Sequence, residues 1–197
     1  KLKTPPKSFK DLASSATDLR IIIQDPRTSI SGLSLILWVK SIYGDEARHI
    51  WEKLAPKIVT VTKGWSESYG MFLEGESDMV LSYTTSPAYH IIAEGDKSKS
   101  AAIFDEGHYI TIELAGKIKN TKNPKLADRF MEFILSSTFQ EAIPTSNWSY
   151  PSALDISKLP QEFMNLPRPL KSILMSEEKA HKIRAKAIEE WVEALSK

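Results

Sequence analysis

One turn, which joins a buried strand to a buried helix, constrains the fold of this chain more than any other stretch. Residues 19–24 are mostly β-branched and apolar, which is typical of a strand buried on both faces. Residues 33–43 leave almost no polar face, which predicts a helix buried on most sides that ends at Gly44. A strand followed by a helix is the repeating unit of α/β proteins, so the turn between them, residues 25–32, favours that class.

The same turn is a candidate anion-binding site. The first N–H groups of a helix have no partner inside the helix, and the helix dipole adds partial positive charge there. The hydroxyl groups of Ser29 and Ser31 could contact the same anion. The simpler interpretation, which the local sequence favours, is that one of these serines caps the helix while Asp25 and Pro26 set the turn. The glycine spacings of Walker and dinucleotide-binding loops are not present.

Strand and helix patterns alternate along the rest of the chain. Strands are predicted at residues 58–62, 79–83, 101–104 and 108–118. Helices are predicted at residues 9–12, 46–54, 71–73, 123–135 and from 177 onward, with Ser8, Asp45 and Ser176 as N-caps and a small helix at Pro87. Residues 143–151 are predicted to form a turn-rich loop. This alternation predicts parallel strands joined by right-handed crossovers.

Composition narrows the class of protein. At 197 residues the chain can hold one large domain or two small ones, and a net charge of +1 does not favour nucleic acid or an anionic membrane surface as a partner. No apolar run approaches the ~20 residues that a membrane-spanning helix requires. The absence of cysteine excludes disulfides, thiolate zinc sites and cysteine nucleophiles. Residues 1–6 contain neither a Met nor a signal-peptide pattern, so we expect the sequence to begin inside a longer protein.

Four aromatic residues follow predicted strands or lie in a predicted loop. They are Trp65, Tyr83, Tyr89 and Trp148. Ligands of parallel α/β sheets bind at the carboxyl ends of the strands, and planar rings there suit a planar, cationic heteroaromatic ligand. Each ring can contribute about 0.5–2 kcal/mol of cation–π attraction. For any single ring, packing in the core is the simpler interpretation, and we assign Trp38, Trp51 and Trp191 to the core because they lie on apolar helical stripes.

The sequence contains little that is typical of an acid–base enzyme. There is no G-x-S-x-G nucleophile elbow and no H-E-x-x-H zinc motif, and the four histidines are scattered without the spacing of metal ligands. We therefore expect a protein that is not an enzyme and that needs no cofactor.

Several motifs, taken in order, resemble those of the thiamine-binding periplasmic proteins of bacterial ABC importers. They lie at residues 25–33, 61–67, 75–90, 106–109 and 142–148. The resemblance covers nearly all of the chain, and the combination of motifs is far more specific than any one of them.

The resemblance implies a type II periplasmic-binding-protein fold, which has two α/β lobes with the ligand in the cleft between them. It implies that residues 1–104 form one complete lobe with the hinge crossing, and that residues 105–197 form the C-terminal part of the other lobe. The N-terminal part of the protein would then be missing here, and residues 108–118 and 123–135 would present apolar faces that it normally covers.

The resemblance also implies roles for individual residues. The four rings would contact thiamine, and Ser29 would be a hydrogen-bonding or phosphate-side residue. Ile30 stands where the family has a hydroxyl side chain, so it would offer only its backbone N–H group. The candidate ligand-binding set is Ser29, Ile30, Ser31, Gly32, Trp65, Tyr83, Tyr89 and Trp148.

The function implied is that of a periplasmic solute receptor. It would capture thiamine, and its phosphate esters, and deliver them to a membrane ABC permease, without binding nucleic acid or inserting into the membrane. One alternative is a ferric-ion receptor of the same fold that uses Tyr83 and Tyr89, although these are six positions apart and no nearby His or Glu completes a ligand set. A phosphate-ester hydrolase is the other alternative, for which the sequence shows no nucleophile–base pair.

Overall fold

The fold contains a short, three-stranded parallel sheet. The computed structural model describes residue 2, residues 4–16 and residues 18–196. Strand β1 (Ile21–Gln24) lies between β2 (Ile58–Thr62) and β3 (Met79–Val80) and is parallel to both. All four β1 residues are buried, as the β-branched run predicts. Lys1 and Lys3, which belong to the predicted internal start, lie outside the described residues.

The remaining elements are mostly helical. A second pair of parallel strands is formed by β4 (His108–Tyr109) and β5 (Ser172–Ile173). The helices are α1 (Phe9–Ser14), α2 (Ile30–Tyr43), α3 (Ala47–Leu54), α4 (Trp65–Glu74), α5 (Ser86–Tyr89), α6 (Pro124–Ile134), α7 (Ser137–Ser146), α8 (Gln161–Met164) and α9 (Glu177–Leu195). The predicted α/β class is confirmed. None of the helices in the described part of the chain is both long and apolar enough to cross a membrane.

Helix α2 lies directly on strand β1 at Gly32. A Cβ atom at this position would collide with the backbone carbonyl oxygen of Gln24 and would lie 2.8 Å from the carbonyl carbon of Asp25. The helix begins one residue after Ser29, whose Oγ accepts a hydrogen bond from the Gly32 N–H group at 3.4 Å. The capping interpretation of Ser29 is therefore confirmed, and glycine is required at position 32 by close packing.

The largest hydrophobic core lies between α2 and the helices that pack around it. It includes Ile36 and Val39 of α2, Trp51 of α3 and Trp191 of α9, all buried. The core assignment of Trp51 and Trp191 is confirmed. Trp38 is half-buried against the same cluster, and its Nε1–H group donates to the carbonyl oxygen of Gly107 at 2.9 Å.

Side chains of Glu106 and His108 tie the approach to β4 to the helices. The Glu106 carboxylate accepts hydrogen bonds from the Phe9 backbone N–H group at 2.9 Å and from the Tyr43 hydroxyl. The Nε2 atom of His108 accepts a hydrogen bond from the Phe104 backbone N–H group at 2.8 Å. Burial lowers the pKa of His108 to about 4. The ring is therefore neutral at pH 7, which is the form that can accept this bond.

Backbone contacts divide the chain into two units. Unit 1 comprises residues 1–82, 102–111 and 168–197, and unit 2 comprises residues 83–101 and 112–167. This division differs from the predicted boundary at residue 104, because helix α9 packs on α2 and α3 within unit 1. The arrangement of two lobes in the whole protein stays a prediction.

Ion pairs accompany the packing of α9. Lys40 of α2 pairs with Glu190 at 2.7 Å, and Arg48 of α3 pairs with Glu193 at 2.7 Å. The first pair is mostly buried and the second is largely exposed, so apolar contact rather than charge supplies most of the attachment.

Several predicted segments differ from the observed structure. The strand predicted at 79–83 is limited to Met79 and Val80, and the predicted N-cap Asp45 lies in a 3₁₀ helix, Gly44–Glu46, that precedes α3. The strand predicted at 108–118 is limited to His108 and Tyr109, and the residues predicted as a strand at 101–104 have no regular secondary structure. Helix α4 begins at Trp65 rather than at Met71, because Gly64 provides the N-cap position. Helix α7 continues to Ser146 where a loop was predicted, and it contains Pro144.

Unit 2 has a much smaller core than unit 1. Its buried cluster consists of Ala88, Phe163 and Leu166, with half-buried residues around it. None of the residues of α6 is buried, and Leu114 in the segment before it is 89% exposed. The predicted lack of cover on these two segments is confirmed for the described residues.

Replacement of Gly32 by Ala tests the contact between α2 and β1. We expect the Gly32→Ala variant to lose about 2 kcal/mol or more of unfolding free energy, because the new methyl group must displace backbone atoms of β1. The matched control is Gly70→Ala within α4, where a Cβ atom would meet nothing within 4 Å. That variant should gain about 0.5–1 kcal/mol from helix propensity. Equal effects in the two variants, measured by urea unfolding, would contradict the packing role of Gly32.

Candidate functional site

The turn before α2 and the turn before α4 lie side by side at the carboxyl ends of their strands. The Asp25 N–H group donates to the carbonyl oxygen of Thr62 at 2.9 Å, which extends the pairing of β1 with β2 by one residue. The Thr28 hydroxyl donates to the carbonyl oxygen of Lys63 at 2.7 Å and ties the two turns together. The structure therefore brings the predicted residues 29–32 to the same edge of the sheet as the start of α4, as expected for parallel strands.

The N-terminus of α2 carries four of the predicted residues. Ile30, its first residue, is 72% exposed, whereas Ser31 is buried. Asp25, the acidic residue at the start of this turn, is held by the Arg27 guanidinium at 2.5 Å. This hydrogen bond holds the pKa of Asp25 below its usual value. The negative charge of Asp25 is thus compensated locally, which leaves the helix terminus compatible with an anion.

Trp65 is the first residue of α4, and its ring is held from two sides. Its Nε1–H group donates to Ser82 Oγ at 2.9 Å, and its ring stacks on that of buried Tyr69 at 4.6 Å and 21°. The backbone beneath it is also held, because fully buried Ser68 donates to the Trp65 carbonyl oxygen at 2.9 Å and accepts from Gln24 Nε2 at 2.5 Å. The sequence pattern indicated Trp65 but none of these supporting side chains.

In unit 2 the structure brings Tyr89 and Trp148 together. Their ring centroids are 5.0 Å apart at 85°, an edge-to-face pair. Trp148 is half-buried against the cluster of Ala88 and Phe163, and Tyr89 is exposed at the end of α5. Tyr83 is also exposed and starts the turn before α5, where its carbonyl oxygen accepts from the Ser86 N–H group at 3.0 Å. A role of these rings in ligand binding stays a prediction.

Trp148 has a strained backbone. Its φ of 54° lies in the left-handed region. Among the described residues, no other residue except glycine has a positive φ. The position directly follows Asn147, the C-cap of α7, where helices commonly end with a glycine. A bulky residue in this conformation costs about 1–2 kcal/mol, and such strain is concentrated at functional sites.

A group of possible metal ligands lies next to Tyr89. A ring nitrogen of His90 and carboxylate oxygens of Glu94 and Asp96 lie within 4.8 Å of one another. Each is already engaged, because His90 bonds to Glu94 at 2.7 Å and Asp96 pairs with Lys99. Neither Tyr83 nor Tyr89 belongs to this group, so the expectation that no nearby His or Glu completes a ligand set with the two tyrosines stays a prediction.

Comparison with known proteins identifies the relatives of this chain. Residues 2–145 match the family model described as bacterial extracellular solute-binding protein. A thiamine-binding periplasmic protein of Salmonella typhimurium is 52% identical over 197 residues, which is 100% of this chain and 60% of that protein. The thiamine-binding periplasmic protein of Brucella suis is 46% identical over 198 aligned residues, with 59% of its length covered. The chain thus spans about 60% of the length of the curated relatives that it matches.

Solved structures agree with the sequence comparison. A periplasmic thiamin binding protein superposes with a TM-score of 0.94 at 50% identity, covering 100% of this chain and 61% of that one. A Bordetella ferric binding protein superposes with a TM-score of 0.72 at 18% identity, covering 98% of this chain and 64% of that one. The fold is therefore that of the periplasmic binding proteins, and the second likeness shows the fold alone.

Paired substitutions at position 148 measure the backbone strain. Trp148→Gly and Trp148→Ala lose the same ring contacts, but only the alanine keeps a Cβ atom in the left-handed conformation. We expect Trp148→Gly to be more stable than Trp148→Ala by about 1 kcal/mol in urea unfolding. Asn147 has an ordinary φ of −116°, so the order should reverse there, with Asn147→Ala more stable than Asn147→Gly. The same order at both positions would show that position 148 stores no strain.

Proposed function

The chain belongs to the family of bacterial extracellular solute-binding proteins, and on that premise we propose that it is the larger part of a periplasmic receptor for thiamine. The receptor captures thiamine and delivers it to a membrane ABC permease, and it carries out no chemical reaction. The observation that carries this proposal is the edge-to-face pair of Tyr89 and Trp148, set on a strained backbone. The names of the relatives support it, since they are thiamine-binding periplasmic proteins.

The aromatic residues suit thiamine because its thiazolium ring is a planar cation. A ring cation over the face of Trp or Tyr gains about 0.5–2 kcal/mol, and stacking of the planar pyrimidine adds to it. We assign Trp65, Tyr83, Tyr89 and Trp148 as ligand-contacting residues. The two Trp rings are held by other groups in the described structure, so little of their motion remains to be lost on binding.

The N-terminus of α2 suits a phosphate ester of thiamine. The hydroxyl groups of Ser29 and Ser31 and the first backbone N–H groups of the helix offer hydrogen-bond donors to an anion, and the helix dipole favours negative charge. Ile30 contributes its backbone N–H group, and Gly32 lets this turn lie close to the strand. This arrangement favours no single phosphate ester over the others.

The ferric alternative has one observation in its favour. Tyr89 lies beside His90 and Glu94, which are donors that iron accepts. Against it, the Asp96 carboxylate of this group already pairs with the Lys99 ammonium group, which takes the role that a bound cation would have. A red tyrosinate charge-transfer band on addition of ferric ion would support iron, whereas its absence together with thiamine binding would remove this alternative.

We also infer that another part of the same protein covers the apolar surface of unit 2. This surface, which we call the α6 surface, consists of Ile112, Leu114, Ile118, Leu126, Phe130 and Phe133, all exposed. Exposed apolar patches of this kind mark an interface. The partial coverage of the relatives supports an occupant from the same polypeptide rather than from a different protein.

Hydrogen exchange tests the cover of the α6 surface. We expect the amides of residues 112–135 to exchange more slowly in the full-length protein than in the isolated 197-residue chain, because burial suppresses local opening. Helix α9, which packs on α2 and α3 within the chain, is the matched control and should exchange alike in both. Equal exchange of residues 112–135 in the two proteins would contradict the inference.

Calorimetric titration of the full-length protein with thiamine tests the receptor function. We expect a single binding event, and we expect Trp65→Ala, Tyr89→Ala and Trp148→Ala each to weaken it by about threefold to thirtyfold, the loss of one ring contact. Tyr150 is an exposed aromatic residue of unit 2 outside the assigned set, so Tyr150→Ala is the matched control and should bind normally. No heat at thiamine concentrations well above micromolar would refute the receptor function.

A further inference from the structure

Gln24, the last residue of β1, carries a buried amide at the carboxyl end of the central strand. Its Nε2 atom donates two hydrogen bonds, one to Ser68 Oγ at 2.5 Å and one to the carbonyl oxygen of Leu81 at 3.1 Å. A carbonyl oxygen can only accept a hydrogen bond, so the contact with Leu81 requires the nitrogen of the amide and not its oxygen. The two bonds lead to two different segments, helix α4 and the residues after β3.

The first bond leads to the backbone of Trp65. The Ser68 hydroxyl, which accepts from Gln24, donates to the carbonyl oxygen of Trp65 at 2.9 Å, and Ser68 is fully buried. The backbone bond of this turn is long, because the Ser68 nitrogen lies 3.5 Å from the carbonyl oxygen of Gly64. The hydroxyl group therefore supplies a short bond in the first turn of α4, where the backbone bond is weak.

The second bond leads to the ring of Trp65. Leu81, which accepts from Gln24, is followed directly by Ser82, and Ser82 Oγ accepts from the Trp65 Nε1–H group at 2.9 Å. The Trp65 ring also stacks on Tyr69, as described above. One amide nitrogen therefore contacts both of the segments that hold Trp65, the one beneath its backbone and the one beside its ring.

The oxygen of the same amide makes no comparable contact. Gln24 Oε1 is buried and has no hydrogen-bond partner among the described residues. A buried oxygen without a partner is destabilising. An unbranched apolar side chain of similar length would avoid this cost, but it would provide neither of the two N–H bonds. The amide nitrogen is therefore the feature that distinguishes Gln24 from such a side chain.

We propose that Gln24 is a positioning residue, which fixes the ring of Trp65 by holding Ser68 and Leu81 at the same time. The contact of Gly32 with residue 24 is made by the backbone carbonyl oxygen, so a change of the Gln24 side chain does not remove it. A ring that is oriented before the ligand arrives loses less entropy on binding. The effect on thiamine affinity rests on the receptor function proposed above, whereas the orientation of Trp65 in the free protein does not.

The first test is NMR of the full-length protein without ligand. The indole N–H signal of Trp65 is assigned by its loss in Trp65→Phe. We expect Gln24→Met to shift this signal and to speed its exchange with solvent about tenfold, because the segment that carries Ser82 loses the bond that holds it. The indole signals of Trp51 and Trp191, in the core of unit 1, should stay in place, since a general loss of stability would not single out Trp65.

A second variant and a matched control accompany this test. Gln24→Glu keeps the shape of the side chain but lacks the amide N–H groups, so it should shift the Trp65 signal as well. The control is Gln140→Met in α7, because Gln140 is also buried and its amide also makes two bonds, to the Ile134 carbonyl oxygen at 2.7 Å and from the Ala153 N–H group at 2.9 Å. A Trp65 signal that stays unchanged in Gln24→Met or Gln24→Glu, or that shifts equally in Gln140→Met, overturns the proposal.

The second test is thiamine affinity in a double-mutant cycle. Gln24→Met should weaken binding by about threefold to tenfold, which is the effect of one ring that must be ordered on binding. In a Trp65→Ala background the same substitution should cause little further loss, because the ring that Gln24 positions is absent. Additive losses would show that Gln24 acts through groups other than Trp65 and would overturn the positioning role. If the wild type does not bind thiamine, the receptor function fails and the NMR result alone decides.

Discussion

The contact between Gly32 and the carbonyl oxygen of Gln24 is the constraint on which the rest of unit 1 depends. It brings α2 against β1 more closely than any side chain at position 32 would allow. The same residue of β1 continues the chain of contacts, because Gln24 Nε2 bonds to Ser68 of α4 and to the carbonyl oxygen of Leu81 after β3. One buried residue at the end of the central strand thus fixes the starts of α2 and α4 together. The positions of the predicted anion site and of the Trp65 ring therefore both depend on Gln24.

The aromatic residues of the candidate site are held in three different ways. Trp65 is held by hydrogen bonding and stacking, through Ser82 and Tyr69. Trp148 is held by its backbone, which is forced into a left-handed conformation after α7. Tyr89 is held by edge-to-face contacts with the rings of His90 and Trp148. In each case the support reduces the conformational freedom of a large planar group.

The sequence predicted the elements in which the pattern of apolar residues corresponds directly to a buried surface. Strand β1 and helices α2 and α9 were correct because their apolar residues pack within the described chain. The strand predicted at 108–118 was wrong. The alternation of Ile110, Ile112 and Leu114 indicates that these side chains lie on one face, but a strand also needs a neighbouring strand for its backbone hydrogen bonds. Of residues 108–118, only His108 and Tyr109 pair with another strand among the described residues. The π-helical turn His90–Glu94 was not predicted, because a single turn of this kind has no periodic signal in the sequence.

The two units differ in how they are stabilised, and this difference bears on the candidate site. Trp65 stands on the unit with the extensive core, in which β1 is fully buried. Tyr89 and Trp148 adjoin a cluster in which only Ala88, Phe163 and Leu166 are buried, in a unit whose α6 surface is exposed. A small core of this kind contributes little stability alone, because apolar burial scales with the area removed from water. Trp65 therefore stands on an extensive buried core, whereas the orientation of the Tyr89 and Trp148 pair depends mainly on the direct contacts of the two rings with each other and with their neighbours.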